Sequence, residues 1–418
     1  MPEVPPTEAP AQAASPVAYL RLMSASVLCM ILFGAVLVVL PVCLDTLGEE
    51  LRINLEARGL LTSVRMAALI ASLLVIGRVG EGSHKRRYLF WGLMAIGLSQ
   101  AWAALAGSYG VLMAAMVLSG LGKGAVEALV NPLVAQLHPR NSARALNLIN
   151  GVFSLGLVTG ALSAGQLLQT GHSWRVPFWL WVLPPMVCAV MFYTRRYPRA
   201  SVADVGAAGC AANGSSGLEG QPALSSVRRF LRLPLFWLLV VAMVMGGGCE
   251  AGLTAWAPNF AQKVLGASAL GGAWTTAFYG AAMALGRFAS GIFVARLGAV
   301  RLMLVSGAAC ALATLALTFV PSVNAAYVAF ALGGLFVACL WPTLLSVASD
   351  HISTGSTSLF SLLAASGVGG CVVFPWAIGR LGDAFDLRLA VLVLPLSMVV
   401  LLVMLGFMVR LTRGREGV

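Results

Sequence analysis

Lys123, Glu127 and Asn131 recur at every fourth residue, a spacing that confines three polar side chains to an arc of roughly 80° on one helix face. The segment around them is otherwise charge-free as far as Leu137. In lipid, an ionisable side chain near the bilayer centre costs about 2.5–3.5 kcal/mol on insertion scales, so those retained there are functional or paired. Arg65, Lys123, Glu127, Glu250 and Arg287 are the five candidates. A carboxylate in a dehydrated site has its proton affinity raised by desolvation and lowered by a neighbouring ammonium. The chemistry on offer is therefore reversible protonation of Glu127 beside Lys123, with a structural intrahelical ion pair as the other reading. Glu250 supplies a second carboxylate, six residues before Trp256, and Gly246, Gly247 and Gly248 precede it as a site for close helix packing or local unwinding.

Bond-making chemistry finds no support in the same inventory. His84, His138, His172 and His351 all fall at loops or helix ends, so no Ser/His/Asp, Cys/His or HExxH arrangement lies within the apolar runs. The eight cysteines show neither CxxC nor CxxxC spacing, which argues against a metal site or disulfide framework. No enzyme, metal or cofactor is expected.

The elements that position these groups follow from composition. Of 418 residues, 59% are hydrophobic and 10% charged, against about 25% charged in soluble domains. About 20 apolar residues of helix cross a bilayer core, and counting runs free of Asp, Glu, Lys and Arg gives twelve spans. They fall at 22–44, 59–76 (interrupted by Arg65), two within 88–137 separated by the turn at 107–110, 145–169, 174–194, 234–260, 270–295, 302–320, 324–349, 355–379 and 389–409. The fold class expected is an all-α membrane protein of twelve transmembrane helices in two pseudo-symmetric six-helix bundles, 18–194 and 234–411. A disordered tail at 1–17, a Gly- and Ser-rich linker at 195–233 and a short tail at 412–418 complete the chain.

Charge placement sets the orientation. Of 27 Lys and Arg, three lie within spans, and Arg52, Arg58, Arg175, Lys263, Arg380 and Arg388 fall on one side; the other eighteen fall on the side of both termini. Positive residues gather in the cytoplasm, so both termini are expected there. The net charge of +12 then needs no nucleic-acid partner. The expected partners are the lipid bilayer, a small solute and H+, with the chain a monomer in the plasma membrane, the inner membrane if bacterial.

The halves repeat. Gly77-Arg78-Val79-Gly80-Glu81 with Lys85-Arg86-Arg87 is matched by Gly291 to Gly298 with Arg296 and Arg301, and Gly122 with Asn131-Pro132 by Gly333 with Trp341-Pro342, at offsets of 210 to 214 residues. Two similar halves rocking about a midplane site give alternating access. From residue 18 to 411 the pattern resembles the major facilitator superfamily. That resemblance implies a cytoplasmic gate involving Gly77, Glu81, Arg86, Arg287 and Arg296, weaker in the second half because Ala295 stands where a carboxylate is usual.

GxGxxExxxNP at Gly122, Gly124, Glu127, Asn131 and Pro132, ALNLIN at 145–150, and Glu250 with Trp256 and Asn259 look like the fucose–galactose–glucose:proton symporter family. The resemblance implies that protonation of Glu127 is linked to substrate binding. It also implies that Asn131, Asn147, Asn150, Glu250 and Asn259 bond sugar hydroxyls, with Trp256 or Trp341 stacking on a sugar face. The first span, however, lacks a central Asp, and position 246 is Gly rather than aromatic. Three intramembrane cations against two anions suit an anionic cargo, with Arg65, Lys123 and Arg287 as clamps. The function expected is proton-coupled uptake of a sugar or similar small polar solute. Organic-anion transport is the alternative. A drug/proton antiporter is a further rival: Gly156, Gly160 and Gly165 have antiporter-like spacing, while Ala161, Ala164 and Leu118 depart from that pattern. A non-transporting membrane sensor is the rival from another class.

Overall fold

A computed structural model of the chain describes residues 16–79, 85–137, 142–193, 231–352 and 357–416. Its elements are α1 (Pro16–Glu50), α2 (Leu55–Val79), α3 (Lys85–Ala104), α4 (Tyr109–Leu137), α5 (Ser142–Gln169), α6 (Arg175–Leu180) and α7 (Leu183–Tyr193) in the first half. The second half comprises α8 (Pro234–Leu265), α9 (Ala269–Leu297), α10 (Ala299–Ala316), α11 (Val323–Val337), α12 (Leu340–His351), α13 (Thr357–Ala384), α14 (Leu387–Ala390) and α15 (Val393–Glu416). No strand occurs among the described residues. Eleven helical stretches are long and apolar enough to cross a membrane, with α6–α7, α11–α12 and α14–α15 each running as one broken span. The charge-free part of α3 is shorter because Lys85, Arg86 and Arg87 form its first turn; it completes the twelve. The tail expected at 1–17 and the linker expected at 195–233 lie almost wholly outside the described residues. The last helix reaches Glu416, beyond the 411 read from the sequence.

The three breaks share one cause. Proline has no N–H to give the carbonyl four residues earlier, and its ring crowds that carbonyl. Pro184 and Pro185 fall four residues after Leu180 and Trp181, Pro342 after Ala338, and Pro395 after Val391; these are the interruptions between the paired segments.

Packing repeats between the halves, helix for helix. In the first, α1 lies on α5, α2 on α4 and α3 on α7; in the second, α8 lies on α13, α9 on α11 and α10 on α15. The halves join through α5 on α9 and α2 on α13, which exchange under a two-fold relation, and through α1 on α8. Individual atoms give the register. Gly120 sits against the Arg65 carbonyl and Gly334 against the Tyr279 carbonyl, while across the halves Gly165 meets the Ala269 carbonyl and Gly379 the Leu55 carbonyl. Each residue matches its counterpart at an offset of 214: 65 with 279, 120 with 334, 165 with 379 and 55 with 269. The sequence pairing of Asn131-Pro132 with Trp341-Pro342, at 210, is therefore about one helical turn out. In space Trp341 is the counterpart of Glu127, and Lys123 of Val337.

At the end where α1 stops and α2 begins, polar contacts tie the halves together. Lys263 bridges Asp45 at 2.9 Å and Glu49 at 3.0 Å, and Arg380 meets Glu56 at 3.0 Å. Asp383 accepts the first backbone amides of α2, from Leu55 at 2.9 Å and Glu56 at 2.7 Å. A carboxylate there satisfies orphan N–H groups and complements the helix dipole.

Candidate functional site

The site is built on α2 and α4 from one half and α8, α9 and α13 from the other. Close contact is possible because small residues line the seams: Gly120 and Gly124 rest on the backbone of α2, and Gly247 touches Gly367 and the Trp341 ring. The glycine run at 246–248 thus serves packing within an unbroken α8 rather than unwinding it.

Lys123 is the hub of this region. Its ammonium lies over the rings of Phe33 at 5.8 Å and Phe153 at 5.5 Å, favourable cation–π placements in a desolvated setting. It lies within electrostatic range of Glu127, Arg65, Cys371 and Glu250, groups contributed by four other positions of both halves. No carboxylate oxygen comes within 4.0 Å of it among the described residues, so the intrahelical Lys123–Glu127 ion pair is not formed. Glu127 is half-buried, and one turn on the Asn131 Oδ1 is buried without a hydrogen-bond partner.

Glu250 is held differently. Its carboxylate pairs with Arg287 at 3.1 Å. Its backbone carbonyl accepts the Thr254 hydroxyl at 2.8 Å and the Tyr279 hydroxyl at 3.3 Å. Arg287, assigned from the sequence to the cytoplasmic gate, is turned to Glu250 inside the second half, where a partly buried guanidinium left unpaired would be costly.

Arg65, assigned from the sequence to the substrate, is engaged with the backbone of α1. It is 3% exposed and donates from Nη2 to the Leu37 carbonyl at 2.9 Å and, more loosely, from Nη1 to the Val36 carbonyl at 3.5 Å. Leu37 lies four residues before Pro41, inside α1, and so lacks its helical N–H partner. The guanidinium supplies the missing donor. Tyr279, the counterpart of Arg65, donates to the carbonyl of Glu250, the counterpart of Val36. The Arg65 Nε keeps no partner, and Arg65 lines a small cavity together with Phe33, Val36, Leu37, Ile96, Ser119 and Lys123.

The remaining candidates divide. Trp256 is 1% exposed and spends its indole N–H on the Pro375 carbonyl at 3.0 Å, so its ring is packing between α8 and α13 with no face free for a solute. Asn259 is fully buried with neither amide atom bonded. Trp341 is half-buried and abuts Gly247 and Gly367 at the position equivalent to Glu127. Asn147 and Asn150 lie on α5, their side chains outside the described residues, as does Glu81; Gly77 lies in the last turns of α2. Arg86 is exposed over the Tyr193 ring at 5.2 Å, and Arg296 is exposed near the end of α9. Sequence reasoning missed the contacts at the opposite end, those of Asp45, Glu49, Glu56, Lys263, Arg380 and Asp383. Lys263 and Arg380 stood out as cations on the sparsely charged side, but which acids they meet depends on tertiary packing.

The arrangement is similar in fold to solved transporters. A bacterial homolog of the human lysosomal transporter Spinster, in an inward-facing and unoccupied conformation, superposes with a TM-score of 0.73 at 18% identity, covering 94% of this chain and 96% of that one. The E. coli fucose:proton symporter gives 0.62 at 17% identity, over 93% and 99%. Among curated sequences, a chloramphenicol efflux pump of Mycobacterium tuberculosis is 34% identical over 143 residues, 33% of this chain and 34% of the pump. Multidrug resistance protein 3 of Bacillus subtilis strain 168 is 23% identical over 142 residues, 34% of this chain and 27% of that protein. These matches span about a third of the relatives' length. The family model described as Major Facilitator Superfamily matches residues 22–357 and 265–417. With twelve spans in two halves packed by one rule and a family match along nearly its whole length, this multi-pass membrane chain belongs to the Major Facilitator Superfamily.

Proposed function

We propose that the protein is a secondary active transporter that moves a small polar solute, of the sugar or sugar-like class, together with a proton by alternating access. Both termini face the cytoplasm, and import across the cell membrane is the working direction. One observation carries the coupling: Glu127 is a half-buried carboxylate with no ion pair among the described residues, whereas Glu250 is neutralised by Arg287. Of the two central carboxylates, Glu127 is the one whose protonation breaks no ion pair among the described residues. Lys123, one turn away on the same helix, lies within electrostatic range of Glu127, Arg65, Glu250 and Cys371, which come from both halves, so rocking one half on the other alters the field around the Lys123 and Glu127 pair. By linkage, whatever proton binding does to solute affinity, solute binding does equally to proton affinity. A shift of two pKa units corresponds to about 2.7 kcal/mol, enough for substantial coupling.

The test is Glu127→Gln in reconstituted vesicles. Exchange of labelled solute across the membrane persists, and accumulation driven by a pH gradient is lost. Uphill uptake equal to wild type removes Glu127 from the coupling role. A second reading, proton-driven export, is favoured by the efflux-pump relatives. Inside-out vesicles acidified in the lumen distinguish it, since an exporter accumulates solute there as protons leave and an importer does not.

A further inference from the structure

We infer that Phe33 and Phe153 are positioning residues for the coupling carboxylate: together they hold the Lys123 ammonium over their rings and so keep it from neutralising Glu127. This rests on the proton-coupled reading above and names the side chains that leave its carboxylate open to a proton. A lysine and a glutamate four residues apart on one helix face are within reach of an ion pair, although the order with lysine first is the weaker of the two. Lys123 and Glu127 have that spacing inside α4, yet no carboxylate oxygen lies within 4.0 Å of the ammonium among the described residues. The ammonium stands instead 5.8 Å from the centre of the Phe33 ring and 5.5 Å from that of Phe153. A desolvated cation is attracted to the face of a ring, so two rings compete with one carboxylate for the same charge. A protonated Glu127 offers the ammonium little; an ionised one contends for it.

The rings stand where the two packing pairs of the first half meet. Lys123 reaches from the α2–α4 pair to the α1–α5 pair. Gly34, next to Phe33, sits against the Phe153 carbonyl, and Gly156 against the Ile31 carbonyl, so close backbone contact fixes the seam on which both rings are mounted. Phe33 is buried and Phe153 half-buried. The other charged and titratable groups in range of the ammonium are Arg65 on α2, Cys371 on α13 and Glu250 on α8, the last paired with Arg287 of α9. The charged residues of α1, α3 and α5 lie near the ends of those helices. Arg65 repels the ammonium and Glu250 already has a cation, so Glu127 is the acid to which Lys123 turns when a ring is removed. An ammonium brought to Glu127 stabilises the ionised form, and protonation then requires a lower pH.

The experiment titrates the purified full-length protein across about pH 4–9 while following the infrared C=O absorption of protonated carboxyls; the band missing in Glu127→Gln belongs to Glu127. This readout needs neither solute nor transport. Phe33→Leu and Phe153→Leu each move the midpoint of that band to lower pH by about 0.5–1.5 units, the span of one desolvated cation–π contact. Phe153→Tyr, which keeps the π face, leaves it in place. In a Lys123→Gln background the same leucine substitutions move nothing. A midpoint unmoved by both leucine variants, or a shift that persists without Lys123, overturns the role of the rings. If neither leucine variant can be purified, Lys123→Gln alone decides: an ammonium held at the rings shields the carboxyl weakly, and its removal raises the midpoint by less than about one unit, whereas a larger rise shows an ion pair with Glu127. Uptake driven by a pH gradient is measured on the same proteins. An infrared shift without a matching shift in the pH profile of uptake leaves the positioning standing and overturns the coupling role of Glu127. If Glu127→Gln removes no titrating band, both fall.

Discussion

The assignment of Arg65 to a broken turn of α1 makes a quantitative prediction. Pro41 leaves the Leu37 carbonyl without its helical donor, and Arg65 Nη2 fills the gap at 2.9 Å in a side chain 3% exposed. Replacing Arg65 by Met keeps bulk and removes the donor. The carbonyl is then orphaned in an apolar setting, which costs about 1–3 kcal/mol, partly offset because a buried charge is no longer held out of water. Replacing Pro41 by Ala restores an N–H at the position that hydrogen-bonds the same carbonyl, so in that background the carbonyl keeps a partner whether or not Arg65 is present. The two substitutions are therefore coupled: Arg65→Met alone is damaging, and the same change on top of Pro41→Ala costs less by about 1–3 kcal/mol. Four proteins, wild type, two single variants and the double, are compared by thermal unfolding in micelles, where the coupling appears as a Tm difference of a few °C. Solute exchange is measured alongside. If the Tm changes simply add, the carbonyl is not what Arg65 serves. If Arg65→Met leaves Tm unchanged and raises only KM for the solute, the residue is a ligand as first read from the sequence.

Three further outcomes follow from contacts elsewhere. Asp383→Asn weakens the cap on α2 and with it closure between the halves at that end; alkylation of a cysteine introduced at Ala57 should quicken by about 2- to 10-fold, while an unchanged rate shows the cap does not hold the closed form. Arg287→Gln leaves Glu250 unpaired and lowers Tm, and Glu250→Gln in the same chain restores part of the loss; a double variant worse than the single rules out the ion pair as the reason. Gly120→Val and Gly334→Val, at equivalent seams against the carbonyls of Arg65 and Tyr279, lower Tm by similar amounts, each reflecting about 1–3 kcal/mol of overpacking. A large effect from only one of them contradicts the two-fold register.

What was legible in the sequence was whatever lipid dictates. Spans were visible because hydrocarbon tolerates few charges, and the side on which the loops gather Lys and Arg was visible for the same reason. The helix breaks were less so: Pro184, Pro342 and Pro395 interrupt their spans whereas Pro41, Pro258 and Pro375 lie inside continuous helices. At Pro41 the reason is a partner 28 residues away, and no local rule reports that. The candidate site was half legible. Rarity of ionisable groups picked out Arg65, Lys123, Glu127, Glu250 and Arg287, but rarity says nothing of who pairs with whom, and two of the five proved to be engaged with a carbonyl and a carboxylate on other helices.

The register of the two halves explains the rest. Motif matching aligned prolines, which are conspicuous, and placed Trp341 opposite Asn131; helix seams align glycines and carbonyls, which place it opposite Glu127. At the second register the asymmetry between halves acquires meaning. Arg65 corresponds to Tyr279, Lys123 to Val337, and Glu127 to Trp341, so the first half carries charge at each of these positions where the second carries an aromatic or aliphatic side chain. The second half keeps its own two charges, Glu250 and Arg287, tied to each other. A duplicated scaffold with charge retained on one side gives a central field that is strong near α4 and weak across the gap. In the transport cycle proposed above, the charge-bearing first half is then the one that responds to the proton, and the second half contributes mainly shape.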